Sequence, residues 1–375
     1  MAGVAGVADA VRQFGPAYRA RYDAAMPASH RRALRDLTAC RTSALGGQVH
    51  GCDTCGYEHY VYHSCRNRSC AQCHGAATAD WLAAREGELL PVPYFHVVFT
   101  LPAALRDLVR AHQRVCLATL MTTAAESLQA LAADPHYVGG TLGILAVLHT
   151  WTRALIYHPH VHCLVPAGAL APDGATWRPA RGNFLVPVRA LSLRFRARFL
   201  ARVKAALPDI TMPAAVWQTP WVVYCKPTVQ GSGAVLRYLA RYVHRAAITD
   251  ARIIAVTDSQ VTFSYTDAHA HQWRRMTLSG EEFLRRFLQH VLPPGFHKVR
   301  YYGLWAPAAQ PTRLRLQHVL GAPTEALSPN AVADVSIVAS SEAAIAPLAC
   351  PKCATGTLHL VRRLAPCRGA DAMPP

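Results

Sequence analysis

Two short stretches of this chain carry side chains at spacings that suit chemistry. His160 and His162 stand two apart in His158-Pro159-His160-Val161-His162-Cys163. In an extended strand, positions i and i+2 face one side, so the two imidazoles converge and Val161 turns into the opposite layer. Leu155-Ile156-Tyr157 before and Cys163-Leu164-Val165 after read as strand, and Pro166 with Gly168 ends it. Neutral imidazole is the commonest nitrogen ligand of divalent metals, and the pair is expected to hold one. Two histidines lining a satisfied polar patch are the competing reading.

The second stretch is Leu236-Arg237-Tyr238-Leu239-Ala240-Arg241-Tyr242-Val243-His244-Arg245. On a helix, Leu236, Leu239, Ala240 and Val243 share an apolar face. Tyr238 and Tyr242, four apart, stack on a stripe largely opposite it, with Arg241 and Arg245 beside them. A tyrosine hydroxyl can attack a phosphodiester once the phosphate is polarised and its charge offset. Mg²⁺ or Mn²⁺ on the histidine pair is expected to do the first, and Arg241 or Arg245 the second. The competing reading is a solvated amphipathic face rimmed with tyrosine.

Six of the 12 cysteines fall between Cys40 and Cys73. Cys52-x-x-Cys55 and Cys70-x-x-Cys73, fourteen residues apart, are expected to pair as two knuckles round one Zn²⁺. Cys40 and Cys65, with His50, His59 and His74, remain nearby, either to build a second site or simply to fill space. Arg66 and Arg68 surround the knuckles and are expected to meet DNA phosphates. Cys350-Pro351-Lys352-Cys353 is another knuckle, but only Cys367 follows it as a further thiol, so no complete site is expected in the tail.

The elements that must position these groups follow from patterning. Residues 1–38 read as basic helices and 39–90 as a polar, loop-rich zinc module closed by a helix. Residues 91–310 read as the main catalytic domain, and 311–375 as a linker and loose tail with the last CxxC. Within the main domain Tyr94–Leu101 is a buried strand ending at Pro102. Gly143–Trp151 and His160–Val165 read as a hairpin, Val216–Tyr224 as a further strand and Glu281–Val291 as an amphipathic helix. With 375 residues, 51% of them apolar, the chain can bury a large core. Lys plus Arg is 39 against Asp plus Glu 22, a net charge of +17 that suits a polyanionic partner. No run of about 18 apolar residues is evident and the N-terminus lacks a basic signal-peptide region, so a cytoplasmic protein without a membrane partner is expected.

Together these pieces resemble the rolling-circle transposases of the insertion-sequence 91 family, including the common-region elements, within the HUH endonucleases named for His-hydrophobic-His. The likeness runs from about residue 10 to 310. Its motifs are Cys40-Arg41-Thr42, Leu45-Gly46-Gly47, Ser64-Cys65-Arg66-Asn67-Arg68, Tyr94 through Pro102, Val147-Leu148-His149-Thr150-Trp151, the His158–Val165 run, Trp221 to Tyr224 with Lys226-Pro227, the tyrosine stretch, Phe283 to Phe287 and Arg300-Tyr301-Tyr302-Gly303.

The resemblance implies an α+β fold: an antiparallel-sheet HUH nuclease domain with packed helices, preceded by a small zinc-binding module. It implies nicking and transfer of single-stranded DNA at element ends and target through metal-dependent 5′-phosphotyrosine bonds, with host replication factors as further partners. By motif position His160 and His162 are its metal ligands and Tyr238 and Tyr242 its nucleophiles. A third polar ligand completes such sites; His149, on the expected partner strand, is the candidate, and His158 the next choice. The chain departs from the family at Gln48, where His is common, and at Ser69-Cys70-Ala71 in place of His-Cys-Pro. Those departures bear on the second zinc.

Two rival readings have discriminating features. A metal hydrolase with the histidine pair on a barrel strand would need further ligands at later strand ends, and gives no reason for the charge or the tyrosines. A catalytically degenerate zinc-knuckle protein would bind DNA without forming a covalent adduct. Arg153, Arg194, Arg196, Arg237, Arg274 and Arg275 are further candidates to line a single-strand groove.

Overall fold

The computed structural model describes residues 5–73, 75–228, 247–267, 272–321 and 348–367, with positions 233, 236, 237, 240 and 243 between them. Its centre is a five-stranded antiparallel sheet built from β3 (Tyr94–Thr100), β4 (Gly143–Trp151), β5 (Tyr157–Pro166), β8 (Val223–Pro227) and β12 (Val299–Gly303). The order is β12-β4-β5-β3-β8. β4 and β5 are apolar on both faces, as central strands covered on two sides must be, and nearly every residue of both is buried.

One face of the sheet presents Val97, Phe99, Ile144, Leu148, Val161 and Cys163 to the helices Gln113–Ala132 and Val188–Ala206. The helix Gln113–Ala132 is long and apolar enough to cross a membrane by length and composition, which the sequence reading did not recognise. Leu117, Leu120, Met121 and Leu128 bury it in this core instead. The other face presents Tyr94, Leu145, Val147 and Leu164, covered by Leu236, Val243 and Trp305, with Trp81 and Leu82 of the helix Gly75–Glu86 at the margin.

A second core joins parts far apart in sequence. Val7, Val11, Leu34 and Leu37 of the helices Val7–Tyr22 and Ala28–Ala39 pack with Phe283, Leu284 and Phe287 of the helix Gly280–Leu288. Under them lies the sheet of β9 (Ile253–Val256), β10 (Gln260–Thr266) and β11 (Trp273–Ser279). The N-terminal helices are therefore no separate basic segment. Their apolar stripe has its partner some 250 residues away, a distance that patterning within the helices cannot reveal. A two-stranded ribbon of β6 (Gly168–Leu170) and β7 (Trp177–Pro179) caps one end of the central sheet.

Two further expectations change. Val216 lies in a short helix, Ala215–Gln218, and strand β8 begins only at Val223. The buried Trp221 indole donates to the Val216 carbonyl (3.0 Å), which turns the chain before the strand starts. Residues 348–367 are not a loose tail. β13 (Leu348–Ala349) and β14 (Thr357–Leu364) complete a sheet with β1 (Gly47–Cys52) and β2 (Glu58–Tyr62) in the order β13-β14-β1-β2.

Candidate active site

β4 and β5 pair directly, and His149 stands opposite His160 across the ladder, with Val147 opposite His162. Just beyond, Thr150 of β4 faces two residues of β5, His158 and Pro159, in a bulge. Proline has no N–H to give a ladder, so a bulge is where a strand tolerates it. The strand begins at Tyr157, the last residue of the run read as its lead-in.

Three rings converge here. Centroids are 5.2 Å apart for His149 and His160, 4.2 Å for His149 and His162, and 4.9 Å for His160 and His162. One ligand nitrogen from each lies within 4.8 Å of the others. His149 is 3% exposed and His162 7%. The His158 carbonyl accepts from His160 Nδ1 (2.7 Å); a carbonyl can only accept, so Nδ1 carries the proton and Nε2 keeps a lone pair. His96 of β3 lies 2.8 Å from His162, Nε2 to Nδ1. Trp151 stacks on His149 at 5.5 Å, and Lys298 Nζ sits 4.7 Å over the Trp151 ring.

Burial, the largest cause in each case, pushes His149 and His162 well below the usual histidine range and His96 and His160 to about 4. The neighbouring imidazoles push His149 and His162 the same way. The rings are therefore neutral at neutral pH and have no proton to displace, as metal ligands require. This donor set fits a divalent cation. It contains no carboxylate among the described residues, and an all-imidazole set suits Mn²⁺ better than the oxygen-seeking Mg²⁺.

Tyr238, Tyr242, Arg241 and Arg245 lie outside the described residues. Their neighbours do not: residues 236, 237, 240 and 243 are helical, and Leu236, Ala240 and Val243 are buried. Leu236 and Val243 pack with Val147 and Leu164, on the sheet face that carries the three histidines. Val243 also lines a cavity of about 370 Å³ with Trp151, Lys298 and Arg68. Burial lowers the Lys298 ammonium to about 7.

The cysteines divide differently from the expected pairing. Cys70 and Cys73 gather with Cys40 and Cys65, and Cys52 and Cys55 stand elsewhere, with Cys350 and Cys353. In the first group Sγ separations are 3.8 Å for Cys40–Cys73, 3.8 Å for Cys65–Cys73 and 3.6 Å for Cys40–Cys70. Zn–S bonds of about 2.3 Å in a tetrahedron put sulfurs about 3.8 Å apart. Cys40 ends the helix Ala28–Ala39 as its C-cap. Asn67, bonded through its amide to Asp36 of that helix (3.0 Å), brings the Cys65–Cys73 loop onto it. The knuckle spacing was sound; the partner thiols came from a helix end and a loop.

Arg66 is exposed with a left-handed φ of 51°, in the loop between Cys65 and Cys70. Arg68, the other expected phosphate contact, is exposed and has partners within the protein. Its guanidinium donates to the carbonyls of Phe296 (2.8 Å), Leu292 (2.7 Å) and Pro293 (2.5 Å) and so ties the zinc loop to the segment after the Gly280–Leu288 helix.

Sequence reasoning missed His96, Tyr224 and Lys226. His96 is a lone polar residue in an apolar strand, which was its available signal. Tyr224 and Lys226 are exposed on the edge strand β8, Tyr224 edge-on to His96 at 5.9 Å and Lys226 Nζ 5.6 Å over the Tyr224 ring.

A family profile described as "Transposase zinc-binding domain" matches residues 10–101, and one described as "Putative transposase" matches residues 143–313. "Putative transposase y4qJ" of Sinorhizobium fredii is 39% identical over 352 residues, 88% of either chain. "Transposase for insertion sequence element IS801" of Pseudomonas savastanoi pv. phaseolicola is 30% identical over 292 residues, 72% of this chain and 68% of that one. No solved structure matches the chain.

Proposed function

The chain belongs to the insertion-sequence 91 family of transposases, and on that premise we propose that it is a two-tyrosine HUH enzyme of rolling-circle transposition. It nicks and transfers single-stranded DNA at the ends of a mobile element, working on DNA in the cytoplasm. His149, His160 and His162 hold the catalytic cation, preferentially Mn²⁺, and Tyr238 and Tyr242 are the nucleophiles.

One observation carries the reading. Leu236 and Val243, both helical and buried, pack on the histidine face of the sheet rather than on the opposite one. In the helix expected from sequence, Tyr238 and Tyr242 fall off the stripe that Leu236, Ala240 and Val243 share, which would leave their hydroxyls available to a DNA strand bound at the histidines.

The bound cation would polarise the scissile phosphate and offset charge developing on it. A tyrosine oxygen attacks phosphorus and forms the O–P bond. The bond from phosphorus to the 3′ oxygen breaks, and the proton lost by the tyrosine ends on the released 3′ hydroxyl. The 5′-phosphotyrosine keeps the bond energy, so attack by another 3′ hydroxyl rejoins strands without ATP. Arg241 and Arg245 are the proposed neutralising cations beside the tyrosines. Tyr224 offers a stacking surface and Lys226 a phosphate contact at the sheet edge, the combination that single-strand binding uses.

The test is cleavage of an end-labelled single strand carrying the element's terminus. Mn²⁺-dependent cutting that EDTA abolishes is expected. Binding without cutting in any divalent cation would favour the catalytically degenerate reading instead.

A further inference from the structure

We propose that Cys52, Cys55, Cys350 and Cys353 form a second structural zinc site, which fastens the C-terminal hairpin to the N-terminal module. The matched zinc-binding profile ends at residue 101 and so contains only the first two of these thiols.

The geometry is that of two knuckles facing one ion. One sulfur from each of the four lies within 4.8 Å of the rest. Across the interface Cys52 and Cys353 are 3.7 Å apart and Cys55 and Cys350 3.8 Å, the edge length of a tetrahedral zinc thiolate. The two knuckles repeat one backbone design although they lie almost 300 residues apart. Gly56 N–H donates to the Cys52 carbonyl (3.2 Å) and Ala354 N–H to the Cys350 carbonyl (2.9 Å). Both donors are left-handed, with φ of 66° and 58°. For Ala354 this left-handed conformation is strained, and the turn round the thiols would have to offset it. Backbone N–H groups also point at sulfur, from Cys55 to Cys52 (3.4 Å) and from Gly356 to Cys353 (3.3 Å).

Close approach is built in. A Cβ at Gly356 would lie 2.4 Å from Cys52 Sγ, so only glycine lets the tail knuckle sit this near. β14 pairs with β1 from Gly47–Leu364 to Cys52–Leu358, and Asp53 accepts from Thr357 N–H (2.9 Å). Yet among the described residues the apolar cluster at this end is only Cys52, Cys350 and Leu358, with Tyr57 and Cys353 partly buried against them. So small a core needs a staple, and zinc binding supplies folding free energy directly. On binding, the four thiol protons pass to solvent and the ion holds four thiolates.

The experiment measures zinc in purified full-length protein after removal of loosely held metal. Two equivalents per chain are expected, unchanged in the His160→Ala/His162→Ala protein. Cys350→Ser/Cys353→Ser should hold one, while Cys40→Ser should lose the other. As a second readout, a protease site is placed between residues 321 and 348 and cut. The released C-terminal piece should stay bound in zinc and separate in a strong chelator. A Cys350→Ser/Cys353→Ser protein that keeps two equivalents, or a cut piece equally well retained in chelator, would overturn the proposal. Neither readout depends on DNA cleavage, so failure here is distinct from failure of the transposase mechanism.

Discussion

His96 Nε2 and His162 Nδ1 lie 2.8 Å apart between adjacent strands, with the two rings stacked at 12°. A single proton serves that bond. When His162 donates it, the lone pair on its other nitrogen is left for a metal, and His96 fixes the orientation of the ring. Partners that orient ligands in this way typically contribute 10–100-fold to metal affinity or activity. His96→Ala should therefore weaken Mn²⁺ binding by about that factor, measured by titration calorimetry. His96→Gln, whose amide oxygen can accept the same bond, should recover part of it. Unchanged affinity in His96→Ala would remove His96 from the site.

His149 completes the ligand triangle in our proposal, and the triangle has no carboxylate among the described residues. Loss of His149 leaves two imidazoles, too few for tight binding. His149→Ala should lose measurable Mn²⁺ binding and nicking together while keeping its circular dichroism spectrum. In the unmodified protein Mn²⁺ should support nicking at much lower concentration than Mg²⁺. A His149→Ala protein with full affinity would rule out the third ligand.

Arg68 joins the zinc loop to three carbonyls of the segment Leu292 to Phe296. Hydrogen bonds involving a charged group contribute about 1.5–3 kcal/mol, and partial exposure keeps the net effect near the lower end. Arg68→Ala should lower stability to urea by about 1.5 kcal/mol. Lysine, without the planar fork, should recover little of that. Were Arg68 a DNA contact instead, the variant would keep its stability and show weaker, less salt-dependent DNA binding.

How far the site could be read from sequence depended on distance along the chain. The Gly143–Trp151 strand and the His158–Val165 run declare themselves by alternation and proximity, so the hairpin that opposes His149 to His160 was within reach. CxxC spacing identifies a knuckle because the constraint is local. It says nothing about which knuckle faces which, and the nearest pair was wrongly joined: Cys40 and Cys65 complete one cluster, and Cys350 and Cys353 the other. The destination of the Val7–Tyr22 stripe, and of Arg68, was hidden for the same reason. Each partner lies more than 200 residues away. His96 was different, since its isolation among Tyr94, Phe95, Val97 and Val98 could have flagged it.

His290 makes stability depend on pH. Its ring is buried between Thr150 Oγ1 (3.2 Å) and the Leu155 carbonyl (3.5 Å), and burial lowers it from 6.5 to about 3. The unfolded chain takes up this proton near pH 6.5 and the folded chain only near 3. Between those values the unfolded state binds more protons, so stability falls as pH drops, by at most about 1.4 kcal/mol per pH unit from this group. Urea denaturation of His290→Asn should show a shallower loss of stability from pH 6.5 towards 4. A slope equal to that of the unmodified protein would contradict the assignment.

The proposed activity is covalent chemistry at Tyr238 and Tyr242, dependent on a cation held by His149, His160 and His162. Its most direct measurement is the protein–DNA adduct formed with a labelled single strand carrying the element's end in Mn²⁺, resolved under denaturing conditions and mapped by peptide mass spectrometry. We expect an adduct on Tyr238 or Tyr242, weakened in each single Phe variant, absent in Tyr238→Phe/Tyr242→Phe and absent in His160→Ala/His162→Ala. An adduct undiminished in the double Phe variant, or mapped to any other residue, would contradict the account.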